Sequence, residues 1–449
     1  MYKMKRMNYY ITALLSVLFL LTGCLSEDIT PNNGENEITV TIGVPTIAST
    51  RAIVHGVDDM VIDRIDVLIF NAGGAYLGRV IPAFINAGDG ITHDYRFTIR
   101  VPQGNLDLVI LANSAASVDA ATLVVGTTTR AQANAQLTTA LPANNIWNAT
   151  PGSPGYRHIP MWGEISNINA ATQSTVNGEL IRALAKIDVT FANQAVSDRL
   201  TITGVSLFNF ATTGNLAALG TQNPNTTNKQ TGFANGVTFP NSVIANNEIR
   251  DQIFLFEVAP PANPANPTPA DRVASTALII RGLFDGAVSP NYSYYRIDMR
   301  DGTGPFLGVT RNHHYQIIIN SVTGPGSNTA AIAYDSEAIN ITATVRAWDL
   351  GGTVVVHYGQ YLMRTNANRF TFAQGGGTQS LNIFSDHPGG WTVENPHSSW
   401  ITLGGTTSST NTTDWQTMTI FVADGTPQQT GYFFIVTAGL RKRITVQQI

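Results

Sequence analysis

Short segments of alternating apolar and polar residues recur along almost the whole chain, separated by residues that favour turns. In the first of them, apolar residues fall at every second position, namely Ile38, Val40, Ile42 and Val44. Strict alternation indicates a strand with one face buried and the other in contact with solvent. A chain made of many such strands is restricted to sheets that pack face to face, so the sequence predicts an all-β fold.

The composition supports this prediction and excludes several other classes of protein. Of the 449 residues, 43% are hydrophobic and only 12% are Asp, Glu, Lys or Arg, whereas about 25% charged residues are usual for soluble domains. The apolar content excludes intrinsic disorder, and the residue usage excludes a long coiled coil. The formal charge at pH 7 is −4 without a cluster of Lys and Arg, so we expect no nucleic acid partner.

The predicted strands fall into three blocks. The first contains Ile65–Phe70 and Tyr95–Val101, together with Thr129–Leu141, whose alanines make it the best candidate for a helix. The second begins at Leu180–Phe191 and continues through six more short strands to Trp348. The segment 370–448 contains seven more predicted strands and can close a core of its own. The length fits several domains at roughly 100–200 residues each.

The N-terminal residues have the features of an export signal. Lys3, Lys5 and Arg6 precede the apolar run Ile11–Leu21, which as a helix rises about 16 Å and is too short to span a membrane. The sequence Leu21-Thr22-Gly23-Cys24 then resembles the lipobox of bacterial lipoproteins, and Cys24 is the single Cys in the chain. We expect residues 1–23 to be the signal peptide and Cys24 to be the lipidated residue that carries palmitate. The alternative is a buried structural Cys.

Several segments together resemble the fimbrillins of Bacteroidales, which are the subunits of type V pili. This resemblance implies two transthyretin-like Greek-key β-sandwich domains, at residues 52–178 and 179–357. The C-terminal residues 358–449 resemble the immunoglobulin-like BACON modules of Bacteroidetes surface proteins, which implies an immunoglobulin-like β-sandwich. The fimbrillin segments are the lipobox at Cys24, Ile65–Phe70 with Gly73-Gly74, Ile159–Glu164, Arg182–Phe191 and Arg311–Tyr315, and the BACON segments are Trp391–Val393, Trp400-Ile401, Gly431–Thr437 and Ile444–Gln448.

The fimbrillin resemblance also implies a mode of assembly. Residues 24–51 correspond to a lipidated pro-segment that contains an exchangeable strand, with Ile38, Val40, Ile42 and Val44 as its apolar residues. An Arg-specific protease would cut at Arg51, the strand would leave, and the C-terminal strand of a stalk fimbrillin would take its place by β-augmentation. The alternative is that the strand stays in place and that Arg51 is an ordinary loop residue.

The additional C-terminal domain bears on the position of the subunit in the fibre. A C-terminus folded into its own sandwich is poorly placed to donate a strand, so we expect a pilus tip subunit that presents this domain to a host glycan or protein. The precursor would lie in the outer membrane, attached only through its N-terminal lipid, and the cleaved chain in the cell-surface fimbrium. Two alternatives stay open, a basal pilus anchor and an outer-membrane glycan-binding lipoprotein.

The remaining residues that can carry chemistry do not indicate an enzyme. His313 and His314 are neighbours on a predicted strand and point to opposite faces, so we expect no metal site, and we expect no cofactor. For carbohydrate binding, the candidates are the aromatic residues of the C-terminal domain. Trp415 lies in a polar loop and is the best candidate for an exposed platform, whereas Trp391 and Trp400 begin predicted strands and are more often core residues.

Overall fold

The computed structural model describes most of the chain from residue 35 onwards. The described ranges are 35–44, 61–87, 94–218, 229–300, 305–349 and 355–448, the last with short gaps at 359–360, 366, 386, 395, 397, 413, 426–428 and 438–439. Cys24, Arg51 and the predicted signal peptide lie outside the described residues. Strands dominate the structure, so the all-β prediction is confirmed.

The first sandwich contains two sheets. One has the strand order β4-β5-β1-β9 and the other the order β10-β8-β6-β2-β3. The alternating apolar residues of both sheets share one buried core, which includes Ile38, Phe97 and Leu108. The strands of this part of the chain are β1 (Glu35–Gly43), β2 (Ile65–Asn71), β3 (Tyr76–Val80), β4 (Phe84–Ala87), β5 (Asp94–Pro102), β6 (Asn105–Ala112), β7 (Thr138–Ala140), β8 (Met161–Asn169), β9 (Thr175–Glu179) and β10 (Ile181–Arg182). β7 belongs to neither of these two sheets.

In the described part of the chain, five short α-helices lie between the strands: α1 (Ala115–Ala120), α2 (Arg130–Gln136), α3 (Gln194–Ser197), α4 (Pro269–Ala274) and α5 (Ala330–Asp335). The predicted helix Thr129–Leu141 is therefore shorter than expected. Thr129 caps α2 through a capping box with Gln132, as the sequence allows. The helix ends at Gln136 because the following β-branched Thr138 and Thr139 form β7, which pairs with the strand Thr213–Asn215.

The second sandwich follows directly in sequence. The predicted strand Leu180–Phe191 is wrong as a single element, because it divides between two sheets. β10 pairs with β8 of the first sandwich, whereas β11 pairs with β18 and β21 of the second. The strands are β11 (Ala185–Phe191), β12 (Leu200–Phe208), β13 (Phe210–Ala211), β14 (Thr213–Asn215), β15 (Lys229–Gln230), β16 (Val237–Thr238), β17 (Ile244–Ala245), β18 (Glu248–Leu255), β19 (Ala277–Phe284), β20 (Ser293–Asp298), β21 (His313–Val322) and β22 (Ile341–Asp349).

The described residues of the C-terminal region, 355–448, form ten strands. One of its sheets has the order β23-β24-β26-β30-β28, and its other strands continue the main sheet of the second sandwich through a short parallel contact between β22 and β32. The strands are β23 (Val355–Tyr358), β24 (Tyr361–Thr365), β25 (Arg369–Phe372), β26 (Gly377–Ser385), β27 (Trp391–Glu394), β28 (Ile401–Gly405), β29 (Ser408–Ser409), β30 (Gln416–Val422), β31 (Gln429–Thr437) and β32 (Leu440–Gln448).

Candidate functional site

Strand β1 lies in the interior of its sheet, between β5 and β9. It pairs antiparallel with β5 over its whole length, from Glu35 opposite Pro102 to Gly43 opposite Asp94. On its other edge it pairs in parallel with β9 over residues 39–43. The space between β5 and β9 that β1 occupies is called the acceptor groove below.

The side chains of β1 are divided between the core and the outer face of the sheet. Ile38, Val40 and Ile42 are 0% exposed and Val44 is 2% exposed, so these four residues are brought together in the core, whereas Thr41 on the outer face is half-buried. Burying each aliphatic side chain contributes about 1.5–3 kcal/mol. Apolar packing therefore contributes most of the free energy that holds β1 in the acceptor groove.

The chain beside the acceptor groove is shaped to receive this strand. A Cβ atom on Gly178 would stand 2.8 Å from Cγ1 of Ile165 and 3.9 Å from Cγ2 of Ile42, so a side chain there would compete with the residues packed against β1. Asn36 Nδ2 donates a hydrogen bond to the carbonyl of Ala170 at 2.6 Å, and the amide of Leu180 donates to the carbonyl of Gly43 at 3.0 Å. These contacts fix the register of β1 at both ends.

Strand β9 forms the outer wall of the acceptor groove. Within the described sheet, β9 pairs only with β1. Its last residue, Glu179, accepts a hydrogen bond from Arg369 Nε at 2.8 Å, and the Glu179 side chain is only 7% exposed. Arg369 belongs to the C-terminal region and also donates to Gln447 at 2.9 Å. The C-terminal region is thus in contact with the wall of the acceptor groove, which sequence reasoning did not find.

The last strand of the chain is also an interior strand. β32 pairs with β31 along its length and with β25 and β22 on its other edge. Ile444 and Val446 are 0% exposed. The side chain of Gln448, which is also 0% exposed, donates to the carbonyls of Gln374 at 2.7 Å and Ala423 at 3.0 Å. Releasing this strand would therefore open the core of the C-terminal region.

The three tryptophans chosen from the sequence do not form one surface. Trp391 is 1% exposed and lies in the core, and Trp400 is partly buried and packs against that core. Trp415 is 51% exposed, and the centroid of its ring lies 5.9 Å from that of Phe384. Of these three tryptophans, only Trp415 is therefore exposed enough to serve as an aromatic platform.

A second exposed aromatic residue lies on β30, the strand that Trp415 immediately precedes. Phe421 on β30 is 46% exposed, and Thr417 and Thr419 precede it at alternate positions on that strand. The polar neighbours come from β26, where Asn382 pairs with Thr417 and accepts a hydrogen bond from its hydroxyl at 2.9 Å. We call these residues, with Trp415 and Phe384, the aromatic face. The buried alternation of Met418, Ile420 and Val422 is the sequence signal that would have placed Phe421 outward.

The two adjacent histidines have separate structural roles. His313 is 1% exposed, and its Nδ1 lies 2.9 Å from the carbonyl of Arg311. His314 Nε2 lies 2.9 Å from a carboxylate oxygen of Asp188. Burial raises the pKa of Asp188, but the hydrogen bond and charge of His314 and the charge of Lys186 lower it by more, so this pKa lies below its ordinary value. Among the described residues, no group of three or more His, Cys, Asp or Glu is arranged to hold a metal ion.

Comparison with known proteins confirms the fimbrillin resemblance. Residues 58–259 match the family model of the fimbrillin-A associated anchor proteins Mfa1 and Mfa2. Among curated proteins, the chain is 26% identical over 289 residues to the major fimbrium tip subunit FimE of Porphyromonas gingivalis. That match covers 60% of this chain and 45% of FimE, so the chain spans less than half the length of this relative.

Two solved structures are similar to parts of the chain. The tip fimbrial protein Mfa3 from Porphyromonas gingivalis, with a C-terminal truncation, matches with a TM-score of 0.43 and 15% identity, over 69% of this chain and 99% of Mfa3. A fimbrial assembly protein from Parabacteroides distasonis matches with a TM-score of 0.38 and 11% identity, over 65% of this chain and 93% of that protein. Within the described ranges, no helix is long and apolar enough to cross a membrane.

Proposed function

We propose that this chain is a subunit of a cell-surface fimbrium that receives a strand from a neighbouring subunit and ends the fibre at its tip. The observation that carries this proposal is the position of β1, an N-terminal strand with four buried apolar residues between β5 and β9. Its departure would leave two unpaired strand edges beside an open core, which is a strong template for another strand. The matches to fimbrial proteins support this role.

In the proposed assembly, Cys24 is lipidated and carries the precursor to the outer membrane. An Arg-specific protease then cuts after Arg51, and β1 leaves with the lipidated pro-segment. The C-terminal strand of a stalk fimbrillin fills the acceptor groove. This order explains why the apolar strand Glu35–Gly43 precedes the basic residue at which the chain would be cut.

The proposed tip position depends on the C-terminus. A stalk subunit must both accept and donate a strand, but β32 is bonded on both edges and buries Ile444 and Val446. A subunit that accepts without donating can only end a fibre. The alternative position is a basal anchor, in which the lipid at Cys24 would be retained. The name of FimE favours the tip and that of the matched family model favours the anchor.

Limited digestion tests the proposed cleavage. Arg51 is the only Lys or Arg between Arg6 and Arg64, so we expect brief treatment of the chain lacking its signal peptide to cut after Arg51 before any other site. A peptide copied from a stalk C-terminus should then displace residues 24–51 from the clipped chain. Mass spectrometry of the separated products measures both steps. Arg51→Gln is the control and should resist this cut, and retention of β1 in the presence of the peptide would contradict strand exchange.

A second candidate function is glycan binding from an outer-membrane lipoprotein, and the aromatic face favours it. Sugar rings stack on aromatic side chains and hydrogen-bond to hydroxyl and amide groups, which Trp415, Phe421, Thr417 and Asn382 supply on one sheet. The same face would give a tip subunit its ligand. Immunogold labelling separates the two functions, because label at filament ends indicates a tip subunit and label spread over the membrane indicates the lipoprotein.

Substitutions on the aromatic face test the glycan proposal. We expect Trp415→Ala to weaken binding of neutral oligosaccharides on a glycan array at least about tenfold, because central aromatic contacts carry more than 1–2 kcal/mol of binding energy. Phe421→Ala should have a smaller effect in the same direction. Phe233, which is 43% exposed on the second sandwich, provides the matched control as Phe233→Ala. Equal binding by all three variants would exclude the aromatic face as the glycan site.

A further inference from the structure

The outer face of β1 is covered at one end only. Glu37 is exposed and Thr39 and Thr41 are half-buried, but Gly43, on the same face, is buried. Because residues at alternate positions of a strand share a face, this change marks the point at which another part of the molecule lies over the sheet. An exchanged strand would meet the same cover.

The residue beside Gly43 identifies this cover. Gly43 pairs in parallel register with Glu179 of β9, and neighbouring strands lie about 4.8 Å apart, so the Glu179 side chain stands next to the empty position above Gly43. Glu179 forms a buried ion pair with Arg369 at 2.8 Å, and the two side chains are 7% and 16% exposed. The ion pair therefore lies on the outer face of the acceptor groove, beside residue 43.

The C-terminal region holds this ion pair in place. Arg369 begins β25, which pairs in parallel with β32 through the register Arg369 opposite Thr445. The Arg369 guanidinium also donates to Gln447 at 2.9 Å. The guanidinium thus has two partners from different parts of the fold, and its position is fixed by the C-terminal sheet. A side chain that pushed it away from Glu179 would leave a buried carboxylate without its cation, which is strongly unfavourable.

Resting on the proposed strand exchange, we propose that the acceptor groove is a composite site in which the Glu179–Arg369 pair selects the partner strand. The strand that fits has four apolar residues at alternate positions, as in Ile38, Val40, Ile42 and Val44, and a glycine at the position of Gly43. A side chain at that position would point to the same face of the sheet as the neighbouring Glu179 side chain, which Arg369 holds. The C-terminal region is therefore a specificity-determining part of the acceptor site.

Peptide binding to the chain clipped after Arg51 tests this selection. Three fluorescent peptides carry the sequence of residues 35–44, either unchanged, with Gly43→Val, or with Thr41→Val. We expect the Gly43→Val peptide to bind at least about tenfold more weakly than the unchanged peptide, because overpacking of a fitted site is costly. The Thr41→Val peptide exchanges one β-branched residue for another of nearly the same shape on the half-buried part of the same face, and it should bind within about twofold.

The double substitution Glu179→Ala with Arg369→Ala removes the ion pair without leaving a single buried charge. In this variant, whose folding is checked by thermal unfolding, the Gly43→Val peptide should bind within about threefold of the unchanged peptide. A second measurement does not depend on strand exchange. Gly43→Val in the unclipped chain should lower the unfolding temperature, and this decrease should be smaller when Glu179→Ala and Arg369→Ala are also present.

The outcomes separate the two proposals. If the unchanged peptide binds but the Gly43→Val peptide binds equally well, strand exchange stands and the selection by Glu179–Arg369 is wrong. If discrimination persists in the double variant, another group covers position 43 and the proposal is overturned. If no peptide binds the clipped chain, strand exchange itself is wrong and the composite site falls with it.

Discussion

Replacing Ile42 by alanine is expected to destabilise the unclipped first sandwich by about 2–5 kcal/mol, as for other aliphatic residues of closed cores. Ile42 is 0% exposed and points into the core that both sheets share. Thr41, the neighbour on the outer face, is the matched control, and Thr41→Ala should lower stability by no more than about 1 kcal/mol, because only strand propensity and partial packing are lost. Urea unfolding, with hydrogen exchange of the β5 amides as the local probe, measures both.

The same substitution also distinguishes a permanent strand from an exchangeable one. Once the chain is clipped and the acceptor groove is filled by a partner peptide, Ile42 is no longer part of the folded unit. The stability of the refilled complex should therefore be the same for the Ile42→Ala variant and the unsubstituted chain. A destabilisation that survives clipping and refilling would mean that β1 remains in the acceptor groove.

Deleting β32 is expected to unfold the C-terminal region. The deletion removes the common partner of β31, β25 and β22, and Ile444 and Val446 alone contribute about 3–6 kcal/mol at 1.5–3 kcal/mol each. This loss is comparable with the total stability of many domains, about 5–15 kcal/mol. Proteolysis of a chain that ends at residue 439 should degrade residues 355–439 and leave residues 61–349 resistant.

The control for this deletion is a chain that ends at residue 349, which should give the same resistant fragment. A C-terminal region that stays resistant without β32 would contradict the proposed tip position. In that case β32 would be dispensable for folding and free to be donated, and the chain would be able to continue a fibre in place of ending it.

The elements that the sequence predicts well are those with strict alternation. β2 and β5 lie within one residue of their predicted bounds, because each alternates or is continuously apolar and is flanked by turn residues. β1 ends within one residue of its predicted end but begins three residues before Ile38. β9 was missed, since its residues Thr175–Glu179 have one buried apolar side chain and a glycine. β9 is held mainly by its pairing with β1, so its own sequence lacks the alternation of apolar residues that predicts a strand.

The predicted site divides in the same way. The inward position of Ile38, Val40, Ile42 and Val44 follows from local periodicity alone. The pairing of β1 with β5 and β9, and the contact of Glu179 with Arg369 across 190 positions of sequence, depend on how distant segments pack. Among the aromatic residues, the polar surroundings of Trp415 indicate its exposure, and the exposure of Phe421 follows from the alternation of buried Met418, Ile420 and Val422.

The Glu179–Arg369 contact has a mechanical consequence for a subunit at the end of a fibre. In the proposed tip subunit, a pulling force would act between the C-terminal region, which holds the ligand, and the acceptor groove, which holds the partner strand. The pairing of β22 with β32, which joins the second sandwich to the C-terminal region, spans only two residue pairs. The Glu179–Arg369 ion pair connects the C-terminal region directly to β9 of the first sandwich and would share this load. If the ion pair broke under force, the two regions would still be joined by the polypeptide chain.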